Sequence, residues 1–179
     1  TPLYSSAASD VYKRQTLSST KVEKAEYIAE VIFNFSNLIQ QFPRGKITIN
    51  KEIAIMGYEI ALNVFTFELF PQKWAKTKYN LALAYFERIR GDKAENLEKV
   101  IATYQEALKV YTFDSLPQEW ARTQNNLANA YSNRIRGDKA ANLEQAIFHC
   151  SEALKVRTFE AFPQEWARTQ NNLASAYLY

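Results

Sequence analysis

The sequence predicts an all-α fold, a solenoid of antiparallel helix pairs with about seven helices, and three observations predict it. The chain has three tryptophans, Trp74, Trp120 and Trp166, spaced 46 residues apart. Each stands in one recurring phrase: Pro71-Gln72-Lys73-Trp74-Ala75, Pro117-Gln118-Glu119-Trp120-Ala121 and Pro163-Gln164-Glu165-Trp166-Ala167. Aligned without a gap, residues 71–116 and 117–162 agree at 28 of 46 positions, and 163–179 agree with 117–133 at 14 of 17. Within a unit, apolar residues recur at helical spacing, as in Leu143, Ala146, Ile147, Cys150, Ala153 and Leu154, and no stretch alternates as a strand would. Finally, one helix pair of this size cannot bury its own apolar flank, so a fixed period implies stacking.

The elements follow in order. Thr1 to Gln15, rich in Ser and Ala, read as a disordered or cloning-derived segment outside the fold. Residues 16–70 hold an N-terminal helix and a degenerate first unit. Thr20-Lys21-Val22-Glu23 reads as a capping box opening a helix that ends near Phe42, at the Pro43-Arg44-Gly45 break. Its many apolar residues (Val22, Ala25, Ile28, Val31, Ile32, Phe35, Leu38, Ile39, Phe42) predict burial on more than one side. Asn50 is the expected cap of the next helix, which runs to about Phe65. Residues 71–116 and 117–162 are full units, and 163–179 is a truncated one holding only its first helix. In each unit the first helix opens on Pro, which loses nothing at the first helical position. It is expected to run through Arg134-Ile135-Arg136 and stop at Gly137. Asp92 and Asp138 then cap the second helix. The array is expected to continue beyond Tyr179 in a longer parent protein.

Composition excludes several classes. A net charge of +3 over 179 residues sets up no field that demands a nucleic acid or an anionic membrane. No apolar run reaches the roughly 18 residues that span a bilayer. Cys150 is the only cysteine, which excludes an internal disulfide and suits a reducing, cytoplasmic setting. His149 is the only histidine, and beside Cys150 on a helix it points about 100° away, so the two form no nucleophile pair. With no phosphate-cradling glycine loop either, the chain reads as no enzyme and as needing no cofactor or metal.

Leu127-Ala128-x-x-Tyr131 on the first helix, with Ala146 and Ala153 on the second, resembles the tetratricopeptide repeat. The usual period there is about 34 residues, and each connection here is longer by about six. Thr123-Gln124-Asn125-Asn126-Leu127-Ala128 also resembles the long repeats of kinesin light chains. The unit looks most like bacterial, often cyanobacterial, arrays that precede a caspase-like CHAT protease domain. The resemblance covers 50–179 and implies a right-handed superhelix whose first helices line a concave groove. HEAT or armadillo repeats, with periods of about 40–47 residues, are the alternative by length.

On a helical wheel at about 100° per residue, Trp120, Leu127, Tyr131 and Ile135 share one side of their helix. Arg122, Asn126, Asn129 and Asn133 share the opposite side. The other units supply Lys76 and Asn80, and Arg168 and Asn172. The resemblance implies that these eight residues face the groove. Asn amides both donate and accept, which suits the backbone of an extended peptide, and the cations suit an acidic group. The competing reading of Asn80, Asn126 and Asn172 is a ladder tying adjacent units. Asn125 is expected to make a structural hydrogen bond to a neighbouring loop, and the tryptophans to pack in the core. Arg90-Gly91-Asp92 and Arg136-Gly137-Asp138 read as a helix stop followed by a cap. Arg88, Arg90, Arg134 and Arg136 are the residues a nucleic acid would use, but neighbouring acidic residues make that partner unexpected. The expected function is a scaffold binding a peptide or protein partner and regulating an attached effector. The alternative is a purely structural or self-associating array, joined through the apolar side of the last helix at Leu173, Ala174 and Tyr177.

Overall fold

The structure, a computed structural model, describes residues 3–43 and 46–178, with side chains from Ser19 onward. Thr1 and Pro2 of the leading segment, Arg44 and Gly45 of the expected break, and Tyr179 lie outside the described residues. Among the described residues there are seven helices and no strand. They are α1 (Leu3–Gln41), α2 (Ile47–Ala61), α3 (Pro71–Phe86), α4 (Lys93–Ala107), α5 (Pro117–Ser132), α6 (Lys139–Leu154) and α7 (Pro163–Tyr177).

Local chemistry sets the starts. Pro71, Pro117 and Pro163 open α3, α5 and α7. The carboxylates of Asp92 and Asp138 accept the backbone N–H of Glu95 and Ala141 at 2.7 and 2.9 Å, capping α4 and α6. Between units, the hydroxyls of Thr66, Thr112 and Thr158 accept the N–H of Leu69, Ser115 and Ala161 and close the turn into the next first helix.

Packing then makes the array. α1 lies on α2, α3 on α4 and α5 on α6, while α2, α4 and α6 each also pack on the first helix of the following pair. Residues within a pair meet in opposite chain order: Gln124 reaches His149, whereas Arg134 reaches Asn142. The pairs are therefore antiparallel, and the whole is an α-helical repeat solenoid. Small residues let the helices approach: Ala61, Ala75, Ala82, Ala107, Ala121 and Ala153 are fully buried. Thr77, Thr123 and Thr169 are buried too, and each hydroxyl donates to the carbonyl four residues back, so burial strands no polar group. Gly57 is required by the α1–α2 approach, since a Cβ there would stand 2.0 Å from Ser36 Oγ. Trp74 and Trp120 are buried and Trp166 half-buried, each edge-on to Phe67, Phe113 or Phe159 at 5.3 Å between centroids.

Several boundaries differ from expectation. α1 begins at Leu3, so Thr20 sits inside it and does not cap it. Only one side of α1 is covered, through Ala29, Phe33, Ser36 and Gln40; Ile28, Val31, Phe35, Leu38 and Phe42 are exposed, because no described element packs against them. Asn50 is not a cap. α2 starts one turn earlier, after Lys46, and the Asn50 amide donates to the Phe42 carbonyl at 3.3 Å. α2 ends at Ala61, and residues 62–65 turn away. α5 stops at Ser132, where the Asn133 amide donates to the Asn129 carbonyl at 2.8 Å. The Arg134-Ile135-Arg136 segment is therefore connector, and Ile135 is exposed instead of joining the Trp120 side. Gly137 still supplies a left-handed residue, φ +80°, but at the entry to α6.

Candidate functional site

The eight expected groove residues are all placed by the first helices, with Asn133 capping α5. They do not form one unbroken stripe. Asn80 donates to Asn37 Oδ1 at 2.8 Å, Asn126 to the Tyr79 and Tyr104 hydroxyls at 2.8 and 3.3 Å, and Asn172 to Asn125 Oδ1 at 3.1 Å. Each amide thus reaches back to the preceding first helix. These bonds are the inter-unit ladder, and they hold the three asparagines half-buried. The buried Asn125 makes a structural bond, but its partner is Asn172 on helix α7 and not a neighbouring loop. Asn133 is spent on its own helix through Asn129.

The structure does bring Arg122, Asn126 and Arg168 together. They line a recess of about 390 Å³ between α3, α5 and α7. The Arg122 guanidinium lies 4.2 Å from the centroid of the Tyr79 ring, a cation–π contact. Two residues that sequence reasoning missed complete the recess. Tyr79 is buried; burial pushes its phenol above the ordinary range, while the charges of Arg122, Arg157 and Arg168 pull the other way. Arg157, from the turn after α6, is only 6% exposed, and its Nη1 donates to Thr169 Oγ1 at 3.1 Å. The signal for Arg157 was in the repeat: the matching positions are the buried aromatics Phe65 and Tyr111.

The remaining candidates sit elsewhere. Asn129, Asn133 and Asn172 line a separate recess with Lys139 and Ser175. Asn80 lines another with Gln40 and Glu87. Lys76 rests over the Phe33 ring, 5.4 Å from its centroid.

The arginines of the connectors have other work. Arg88 grips Glu52 through Nε and Nη2 at 2.8 and 2.7 Å, and Arg134 grips Glu98 at 2.8 Å through both. Each bidentate pair joins the end of one first helix to the second helix of the unit before it. The hydrogen bond from the arginine holds both carboxyls below the usual glutamate range. The amides of Asn96 and Asn142 donate to the Arg90 and Arg136 carbonyls at 2.8 and 2.9 Å, tightening the Arg-Gly-Asp turns. Those turns are structural joints.

His149 is buried, stacked on Tyr131 at 5.4 Å between centroids. Its Nδ1 lies 2.6 Å from Gln124 Oε1; the oxygen only accepts, so Nδ1 carries the proton. Burial lowers its pKa to about 4, against a small opposing pull from Glu152. Cys150 is buried as well, and burial raises its thiol to about 11, which makes it a poor nucleophile. No group of His, Cys, Asp and Glu among the described residues could hold a metal.

A helical array whose first helices carry a polar, ligand-sized recess and whose second helices supply the stacking defines a repeat scaffold. Residues 74–111 and 120–154 match the family model of the tetratricopeptide repeat, and the segment from 74 to 154 is a tetratricopeptide repeat array. Such repeats mediate contacts between proteins. No curated protein and no solved structure matches the chain. No helix among the described residues is long and apolar enough to cross a membrane.

Proposed function

We propose that the face formed by α3, α5 and α7 binds an extended peptide or protein segment, and that the chain is the sensing or regulatory part of a larger protein. The recess at Arg122, Asn126 and Arg168 carries this reading. It sets two exposed cations, Arg122 and Arg168, beside a polar recess, which is the chemistry an extended segment bearing acidic groups requires. We read the segment as a non-enzymatic, cytoplasmic scaffold that takes neither nucleic acid nor membrane as its partner. The narrower reading, that it governs a caspase-like CHAT protease domain or works as a kinesin-light-chain-type array, is supported by the wording of the repeat unit alone.

The test starts from peptides selected on the intact chain out of a random display library. Calorimetry then compares the wild type with an Arg122→Ala/Arg168→Ala variant. Both side chains are exposed, so the fold survives their loss. Losing two charge-assisted contacts weakens binding by at least about tenfold. Equal affinity for every selected peptide rejects the groove.

A second reading, a self-associating array, is favoured by the apolar residues exposed on α7, α1 and α2. Tyr177 is 68% exposed on α7, Ala174 is exposed beside it and Leu173 is half-buried. The uncovered stripes of α1 and α2 are larger still.

A further inference from the structure

Arg157 is out of keeping with the rest of the array. In the two preceding units its position is Phe65 or Tyr111, both buried in the core. Replacing an apolar ring with a guanidinium at a site that remains 6% exposed costs desolvation free energy unless the charge is paired. The protein pairs its other inward-leaning arginines, since Arg88 and Arg134 each hold a bidentate glutamate. Arg157 has no carboxylate at ion-pair distance among the described residues. Its one hydrogen-bond partner is the Thr169 hydroxyl, which is itself already donating to the Glu165 carbonyl. The rest of the guanidinium borders the recess, where Arg122 and Arg168 stand close enough to depress its pKa further after burial has done so. Two carboxylates, Glu119 and Glu165, line the same recess. Glu165 leans toward Arg168 at 3.9 Å. Among the residues lining the recess, three arginines against two glutamates leave one net positive charge.

We propose that this recess is an oxyanion site centred on Arg157, which receives a carboxylate or phosphoryl group carried by the bound segment. The buried guanidinium supplies fixed donors at the base, and Arg122 and Arg168 line the same recess at exposed positions; Asn126, with its amide hydrogens on Tyr79 and Tyr104, supports the wall and donates nothing to the anion. A carboxylate matches the single excess charge, and a phosphoryl group uses more of the available donors. The proposal rests on the reading of the first-helix face as a receiving surface. It adds the chemistry of what is received and the residue that reads it.

Simple anions test it without any partner. Inorganic phosphate and acetate are titrated separately into the intact chain at constant ionic strength set with chloride, and amide and arginine Nε–H resonances are followed. The expected result is a saturable shift centred on Arg157 and Thr169 with at least one of the anions. The stronger responder identifies the group as phosphoryl or carboxylate. Arg157→Tyr, which restores the residue of the preceding unit, is expected to weaken the response at least tenfold and to raise Tm, since a buried unpaired charge is removed. Arg122→Ala/Arg168→Ala, at exposed positions, is expected to weaken it while leaving Tm near the wild-type value. A linear, non-saturating shift with both anions overturns the proposal, as does an equal response in wild type and Arg157→Tyr. If the site binds an anion while no selected peptide depends on Arg122 and Arg168, the groove reading fails and the oxyanion site stands.

Discussion

His149 shows how one side chain makes the array sensitive to pH. The ring is neutral in the fold, buried between Tyr131 and Phe148, with Nδ1–H on Gln124. Its folded pKa of about 4 lies below the ordinary histidine value of 6.5. The unfolded chain therefore takes up a proton first as the pH falls. The stabilisation is fully present above the ordinary value and is lost progressively down to the folded one. Between pH 7 and pH 5 the loss is about 2 kcal/mol. Chemical denaturation at the two pH values measures it. His149→Gln retains a hydrogen-bonding partner for Gln124 but does not titrate, so its stability is expected to change much less over that window. An equal loss in both proteins would assign the effect elsewhere. From the sequence His149 read only as a residue too isolated for a metal site. Its burial was hidden because the pattern of a single helix does not show that Gln124 of the facing helix stands within hydrogen-bonding reach of the ring.

At the scale of the element, the joints between units depend on contacts the period does not announce. Arg134 meets Glu98, 36 residues back, and Arg88 meets Glu52 at the same separation. Each pair is bidentate and partly screened from solvent. Arg134→Ala is expected to lower stability by about 1–2 kcal/mol, more than an exposed surface pair contributes, because it also removes the hydrogen bond to the Asn142 oxygen. Urea denaturation measures the loss, and Arg134→Lys is expected to recover only part of it, lacking the two-pronged donor. Since the glutamate pKa values are depressed in the fold, the contribution is held at neutral pH and disappears as the pH falls through and below the ordinary carboxylate range. The starts of α3 to α7 were legible in the sequence because a proline or an aspartate fixes them, while α1 and α2, with neither, begin away from the expected Thr20 and Asn50. The ends were not. Arg134-Ile135-Arg136 looked like a basic last turn, but α5 stops at Ser132 and Arg134, beyond it, pairs with the previous unit. The asparagine stripe was legible as a stripe; whether its amides face a ligand or a neighbouring helix turns on distances between units, which a periodic pattern leaves open.

At the scale of the molecule, a solenoid is stable because each unit covers the flank of the next, so an uncovered flank is a site for association. On α1 and one residue past its end, the exposed Ile28, Val31, Phe35, Leu38 and Phe42 recur every three or four positions, and on α2 Ile49, Ile53, Met56 and Ile60 do the same. This spacing keeps each set on one side of its helix. Isolated apolar side chains at a surface are ordinary, but two such stripes mark these helices as candidates for association. A second copy of the chain supplies a surface of equal size and the same apolar character, and two copies meeting face to face leave neither stripe in water. Sedimentation velocity at increasing concentration is expected to show a monomer–dimer equilibrium. Phe35→Glu with Leu38→Glu, at positions already in solvent, is expected to abolish the dimer without loss of helicity. Altering the exposed Tyr177 on α7 in the same way separates the two ends: if it dissolves the dimer and the α1 variant does not, the interface is the one expected from the last repeat. A wild-type chain that stays monomeric at high concentration rules out both, and leaves the recess between α3, α5 and α7 as the surface through which the array meets its partners.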